Sequence, residues 1–276
     1  MSSHSAQTEL KFLGKLVLEA ELLCHTGLHI GAGKGTLEIG GADNPVVKDA
    51  FGRPYVPGSS LRGRLRSLLE QALGLAVPAE LVYVNKRKGQ EVRIHASDAP
   101  NDEVCLLFGR APGRVEKLSG EALGQAAISP ARLTVYDAAL DLDSITPQMR
   151  ESLDDELTEV KSESAIDRIT AQSQARTLER VPAGAKFQTR IVLDVLCEED
   201  KELIPVLIQG LSLLEDDTLG GGGSRGSGRV SFANWKLTWR NAGYYKGGAE
   251  SEVATAASTS ALRSSAAELA SKLNNE

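Results

Sequence analysis

Aromatic residues are scarce in this 276-residue chain, with five Phe, five Tyr and two Trp making 4% of the sequence. A nucleic-acid surface built on stacked aromatic platforms is therefore disfavoured, and backbone contacts and aliphatic wedges would do most of the holding. Cysteine is scarcer still. Cys24, Cys105 and Cys197 are odd in number and far apart, with no C-x-x-C pair, which excludes a disulfide framework and leaves core thiols. Of the four histidines, His25 and His29 could sit on one face of a strand, but metal sites normally recruit further ligands. No window reaches the roughly 18 consecutive apolar residues of a membrane span, and the polar start Met1–Thr8 lacks the order of a signal peptide. A cytoplasmic protein without a membrane partner is expected.

The net charge of −6 argues against nucleic acid only as an average. Between Lys48 and Arg93 stand nine Lys/Arg against four acids, while the balancing acids lie at 137–163 and 198–217. The charge is segregated, and the basic part suits a phosphate backbone.

Leu16, Leu18, Ala20 and Leu22 alternate with Val17, Glu19 and Glu21, which predicts a half-buried strand. It leads into a loop with Gly27, Gly31, Gly33, Gly35 and Gly40. Neither nucleotide fingerprint fits there: Thr36 stands where a dinucleotide loop needs its third glycine, and Gly35 follows Lys34 where a Walker loop needs Ser or Thr. Pro57–Ser60 start a helix with serine as N-cap; Leu61, Leu65, Leu68, Leu69 and Ala72 face the core, and Arg62 and Arg66 share a second face. Free N–H groups and guanidinium forks at this first turn form a candidate anion site.

Residues 77–101 read as a lysine-rich insertion with one strand or hairpin, and 131–137 as a strand. After an acidic helical stretch near 148–159, residues 160–187 lack a core of their own and read as a functional loop or arm. Phe187–Val195 alternate as a strand, and 203–214 form an amphipathic helix with Pro205 in its first turn. The run L-G-G-G-G-S-R-G-S-G-R-V, 219–230, makes a backbone nest with two guanidiniums, which favours contact with RNA or a neighbouring subunit over a plain turn. Apolar parity switches between Phe232 and Trp235, predicting a bulge at Ala233–Asn234. Residues 246–276, Ala/Ser/Glu-rich, read as a disordered tail outside one domain over 1–245. The order of elements gives an α+β fold with a mainly antiparallel sheet.

Asp43 could be a turn-former in Asp-Asn-Pro, with Asp49 the competing acid. What separates them is a resemblance. T-G-L-H-I-G at 26–31, I-G-G-A-D-N-P-V-V-K-D at 39–49, P-G-S-S-L-R-G-R-L-R-S-L-L-E at 57–70 and L-F-G at 107–109 occur in order. P-x-R-L-x-x-x-D at 130–137, E-V-K-S-E-S-A-I-D-R-I-T at 159–170, E-R-V-P at 179–182 and G-G-G-S-R-G-S-G-R-V at 221–230 follow. Together, from about Leu16 to Trp239, they resemble the Csm-type backbone subunits of type III CRISPR effector complexes, the Cas-seven group of the RAMP superfamily.

The resemblance implies an RRM-like (ferredoxin-like) palm with inserted finger (about 77–104) and thumb (about 160–185) elements. It implies several copies stacked along a guide crRNA beside other subunits of the complex, each copy cutting paired target RNA at regular intervals. Asp43 would be the acid required for cleavage, as a base or as a ligand of a divalent ion such as Mg2+ or Mn2+. His29, Lys48, Ser60, Arg62, Arg64, Arg66, Arg168, Arg176, Arg225 and Arg229 are the candidate RNA-binding set. A non-cleaving scaffold of the same complex is the alternative, and an unrelated RNA-binding protein the third reading. The chain departs from the family pattern at Ser164, where asparagine is common, and at Ala175, where proline precedes the arginine. A cysteine cluster that some relatives carry before L-F-G is reduced to Cys105, which speaks against bound zinc.

Overall fold

The alternation at the start of the chain becomes strand β1 (Gly14–Cys24), with Leu16, Leu18, Ala20, Leu22 and Cys24 all buried on one side. The computed structural model describes residues 10–32, 42–78, 81–87, 90–110, 130–155 and 157–273, with backbone only at 82–87 and 90–91. The following elements are β2 (Tyr55–Val56), α1 (Gly58–Ala72), β3 (Val82–Arg87), β4 (Gln90–Ile94), α2 (Glu103–Phe108), β5 (Leu133–Val135), β6 (Ala138–Asp141) and α3 (Pro147–Arg150). Then come β7 (Glu159–Ile166), β8 (Ser173–Arg180), β9 (Lys186–Val195), α4 (Leu203–Glu215), β10 (Val230–Asn241), β11 (Ser251–Ser258), α5 (Thr259–Ser264) and α6 (Ala266–Lys272).

β1 lies between β10 and β9, antiparallel to both, and β9 pairs on its far side with β5 and then β6. The order β10-β1-β9-β5/β6, with α1 and α4 as the connecting helices, is the βαββαβ arrangement expected of a ferredoxin-like palm. Leu61, Leu65, Leu68 and Leu69 of α1 and Ile204, Leu207, Ile208 and Leu211 of α4 pack on the β1 leucines to make the core. The opposite face of the sheet follows the other parity and is covered by cross-strand ion pairs: Lys15 with Asp194 (2.5 Å), Lys186 with Glu21 (2.9 Å) and Arg190 with Glu19.

β5 and β6 are one strand interrupted at Tyr136–Asp137, and the interruption receives the start of α1. The Asp137 carboxylate accepts the Gly58 N–H at 2.7 Å, while a Cβ on Gly58 would lie 2.2 Å from the Val135 carbonyl oxygen. The helix is therefore capped from 79 residues away. The expected serine cap is absent: Pro57 is the N-cap residue with no side-chain cap bond, and Ala72 is exposed. The bulge is where the parity switch put it, with Asn234 at φ 56° and the register shifting opposite Glu19–Glu21.

Two expectations change. Among the described residues the acidic stretch near 148–159 contains only the four-residue α3, capped by Thr146, and Leu153 and Leu157 pack on the core from turns beyond it. Residues 251–272 are ordered instead of forming a disordered tail. β11 extends the sheet beside β10, and Leu262, Leu269 and Leu273 are fully buried against α4. Thr259 Oγ1 donates to Glu215 Oε1 (2.7 Å) and accepts from Trp235 Nε1 (3.2 Å). The alanines that suggested disorder fit the close approach of α5 and α6 to the palm, and three well-spaced leucines supply the burial. Among the described residues, no helix is long and apolar enough to cross a membrane.

A buried ion pair fixes the palm. Arg132, ahead of β5, donates from Nε to Asp200 Oδ2 at 2.8 Å, both side chains 2% exposed, and Asp200 also accepts the Leu196 N–H at 2.8 Å.

Candidate nucleic-acid interface and cleavage site

β7 and β8 form an antiparallel hairpin in register from Glu159↔Arg180 to Ile166↔Ser173, where residues 160–187 were expected to form an arm. Its outer half is exposed and ends in a turn organised by Asp167, whose Oδ1 accepts the N–H groups of Ile169 and Thr170. Ile169 stands 94% exposed at the tip, beside the exposed Arg168. The hairpin base is buried, with Leu178 and Glu179 inside the protein.

Asp43 lies against that base. Its Oδ2 accepts the Thr177 N–H (2.7 Å) and the Thr177 Oγ1–H (3.0 Å), and its own N–H donates to Thr177 Oγ1 (2.9 Å). Asn44 continues the contact as a parallel bridge to Leu178, with the Glu179 N–H donating to the Asn44 carbonyl at 3.0 Å. Asp43 is exposed, and the Thr177 N–H, then its hydroxyl, hold the carboxyl below the usual carboxylate range. Asp43 is thus an ionised carboxylate with one oxygen anchored and Oδ1 without a hydrogen-bond partner among the described residues.

The stretch 44–48 is fixed by Glu179. Its Oε2 accepts the Val46 N–H (2.8 Å), and its Oε1 accepts Thr158 Oγ1–H (2.7 Å) and Lys48 Nζ (2.8 Å). Lys48 also reaches Asp155 at 3.0 Å. Burial pulls the Lys48 ammonium down, and the hydrogen bonds and charges of Glu179 and Asp155 outweigh it, for a net upward shift. Asp49, the rival acid, is a turn-former: its Oδ1 accepts the N–H groups of Phe51 and Arg53.

His29 is buried beneath the loop, its Nδ1 2.7 Å from the Glu179 carbonyl oxygen, and so shapes the site from inside. The glycine run packs onto the same segment: the Gly221 N–H donates to His29 O (2.8 Å) and the Gly228 N–H to Gly27 O (2.9 Å). Gly220, at φ +79°, would place a Cβ 2.2 Å from the His29 carbonyl oxygen, so only glycine fits. This run is a fitted loop. Residues 33–41 of the first glycine loop lie outside the described residues.

The ten candidate RNA-binding residues divide by position. Arg62 donates to Phe108 O (2.8 Å), Arg66 pairs with Glu70 (2.7 Å) and donates to His95 O (2.6 Å), and Arg64 pairs with Asp217 (2.5 Å). Arg62 and Arg66 thereby hold α1 to α2. Ser60 sits half-exposed in the first turn of α1. Arg176 and Arg225 share Glu163, whose carboxyl is pulled down first by Arg176 and then by Arg225. Arg168 and Arg229 make no side-chain hydrogen bond or ion pair among the described residues and are exposed. Sequence reasoning missed Thr177, Glu179 and Glu163 as site residues, although E-R-V-P marked Glu179.

The sequence matches the RAMP superfamily model over residues 21–231. A protein of Methanocaldococcus jannaschii named "CRISPR system Cms endoribonuclease Csm3" is 39% identical over 246 residues, covering 88% of each chain. The chain belongs to the RAMP superfamily. A protein of the same name from Methanothermobacter thermautotrophicus is 34% identical to this RAMP chain, covering 86% of it and 91% of the relative. The crystal structure of a Csm3–Csm4 subcomplex in the type III-A CRISPR-Cas interference complex aligns with TM-score 0.57 and 30% identity, covering 94% of this chain and 98% of that one. Methanopyrus kandleri Csm3 shares the fold at TM-score 0.59 and 21% identity, with the same coverage. The expected α+β palm with an antiparallel sheet is thus the fold of this family.

One cluster of metal-type donors occurs among the described residues: His95, Asp102 and Cys105, their donor atoms within 4.8 Å of one another. In this RAMP chain it works as a hydrogen-bonded node, with His95 Nε2 2.7 Å from Asp102 Oδ2 and Asp102 Oδ1 capping α2 through the Cys105 N–H at 2.8 Å. The hydrogen bond to Asp102, with the Cys105 thiol beside it, raises His95 to about 9. For Asp102, burial is outweighed by the bonds from His95 and the Cys105 N–H, lowering it to about 2. A histidine raised in the folded state stabilises fully below its ordinary 6.5 and loses that contribution as pH rises through 9. The aspartate contributes above its ordinary 3.8 and fails as pH falls through about 2. Asp102→Asn should lower the melting temperature most between pH 4 and 6.5. Thermal melts at pH 10 should show a smaller gap between variant and parent, and a gap independent of pH would contradict the ion pair.

Proposed function

We propose that the chain is a crRNA-binding backbone subunit of a type III CRISPR effector complex, stacked in several copies along the guide, and an endoribonuclease that cuts paired target RNA at regular intervals. The observation that carries the reading is Asp43, an exposed ionised carboxylate anchored to the base of a projecting hairpin. The endoribonuclease names of the curated relatives support the activity, and the likeness to a structure of a Csm3–Csm4 subcomplex supports assembly with another subunit. The setting is cytoplasmic.

The chemistry follows from RNA itself. The 2′ oxygen attacks the adjacent phosphorus in line; the P–O2′ bond forms as the P–O5′ bond breaks, giving a 2′,3′-cyclic phosphate. The 2′ proton is lost and the departing 5′ oxygen gains one. Positioning and charge supply most of the help. A carboxylate held below the usual range is a weak base, so Asp43 serves better as a fixed negative charge, whose Oδ1 would hold a divalent ion. The single hard oxygen donor fits Mg2+ or Mn2+ of the kind held by one carboxylate together with substrate phosphates, and Asp43 belongs to no cluster of three or more metal-type donors among the described residues. Bound there, the ion would draw charge from the phosphate oxygens. The apolar tip at Ile169 and its neighbour Arg168 suit a thumb that displaces a base pair and holds the backbone.

The test is the reconstituted complex with guide and complementary RNA in Mg2+ or Mn2+. Products at constant spacing are expected, and a target that stays intact while bound would leave only the scaffold reading. If about four cations of the set meet phosphates in each copy, log affinity for guide should fall by about three per decade of salt. Titration from low to high salt measures this, and a flat profile would remove the set.

A further inference from the structure

We infer that Thr177 is a positioning residue for RNA cleavage, locking the Asp43 carboxylate to the thumb so that the cutting group and the hairpin keep one fixed relation. The inference rests on the proposed role of Asp43 and adds to it a residue outside every motif used to find the site.

Thr177 spends its whole hydroxyl on Asp43. The Oγ1–H donates to Oδ2 while an Oγ1 lone pair accepts the Asp43 N–H, and the Thr177 N–H adds a second donor to the same Oδ2. The three bonds close a ring between residues 134 apart in sequence. Asn44 Nδ2 donates to the Thr177 carbonyl at 3.2 Å, so the contact continues along the strand. Only one carboxylate oxygen is taken, and rotation about the Asp43 side chain is stopped with Oδ1 left for RNA or a cation. Serine could make all three bonds. Valine, of the same shape, could make only the one through the backbone.

Thr177 also sits at the start of the hairpin's buried base, between the exposed Arg176 and the buried Leu178. Tilting β8 therefore moves Oδ2 with it. The neighbouring tie between hairpin and palm, Glu163 with Arg176 and Arg225, lies one register step outward. Hairpin and carboxylate are one rigid piece at this point.

The test uses Thr177→Val, Thr177→Ser and Asp43→Asn in the reconstituted complex, with single-turnover cleavage at saturating target, guide binding, Mn2+ dependence and hydrogen exchange of the Asp43 amide. Thr177→Val should cut about tenfold to a hundredfold more slowly, as expected for lost hydrogen bonds to a charged group. It should need more Mn2+ for half-maximal rate, exchange the Asp43 amide faster, and bind guide within about twofold of the parent. Thr177→Ser should restore rate and amide protection. A Thr177→Val rate within twofold of the parent, or a serine variant as slow as valine, overturns the inference while Asp43→Asn stays inactive. Active Asp43→Asn would overturn the reading beneath it instead.

Discussion

Asp43→Asn should abolish target cleavage, by at least about a hundredfold, while leaving guide binding and complex assembly intact. Asparagine can still accept from Thr177 through its amide oxygen, so the ring of bonds at the hairpin base survives and only the charge is removed. A lost rate then reports the charge, not a collapsed loop. Asp49→Ala is the contrasting variant: it opens the turn made by Phe51 and Arg53 but touches nothing at Thr177. It should cut at close to the parental rate. Gel analysis of labelled complementary RNA decides both, and parental cutting by Asp43→Asn would remove that residue from the site.

Asp200→Ala should destabilise the palm by about 3–5 kcal/mol, because it strips a guanidinium 2% exposed of its carboxylate. It also leaves the Leu196 N–H without its acceptor, next to the junction of β9 and α4. Replacing both members, Arg132→Met with Asp200→Leu, should recover much of that loss, since the dehydration of two charges disappears with them. Urea titration gives the comparison, and a loss for Asp200→Ala below about 1 kcal/mol would contradict the role of the pair.

The palm was largely legible in the sequence because its signals are local. β1, β9, α1 and α4 each carry an apolar period along elements of 10 to 15 residues, and the bulge at Asn234 declared itself in the parity of Phe232 and Trp235. What escaped was long-range. The cap on α1 comes from Asp137, the anchor of Asp43 from Thr177, and the partner of Arg64 from Asp217, none of them within a helical turn or strand repeat of its target. Arg62 and Arg66 looked like an anion grip because helical spacing aligns them. Their spacing is the same whether they face phosphate or the carbonyl of Phe108, and both guanidiniums reach that carbonyl. At 251–272 composition misled, since alanine and serine are as suited to close helix packing as to a tail once Leu262, Leu269 and Leu273 supply the burial.

The sheet ends unequally. One boundary is the two-residue β2, too short to carry a ladder, and the other is the eight-residue β11, with α5 and α6 packed against it. Copies lined up on an RNA, as proposed, could therefore join strand to strand only through β11, and a sheet that can grow at one end alone pairs at most two copies. A longer row depends on its guide and ends where the guide ends, whereas two open edges would let the protein polymerise without a template.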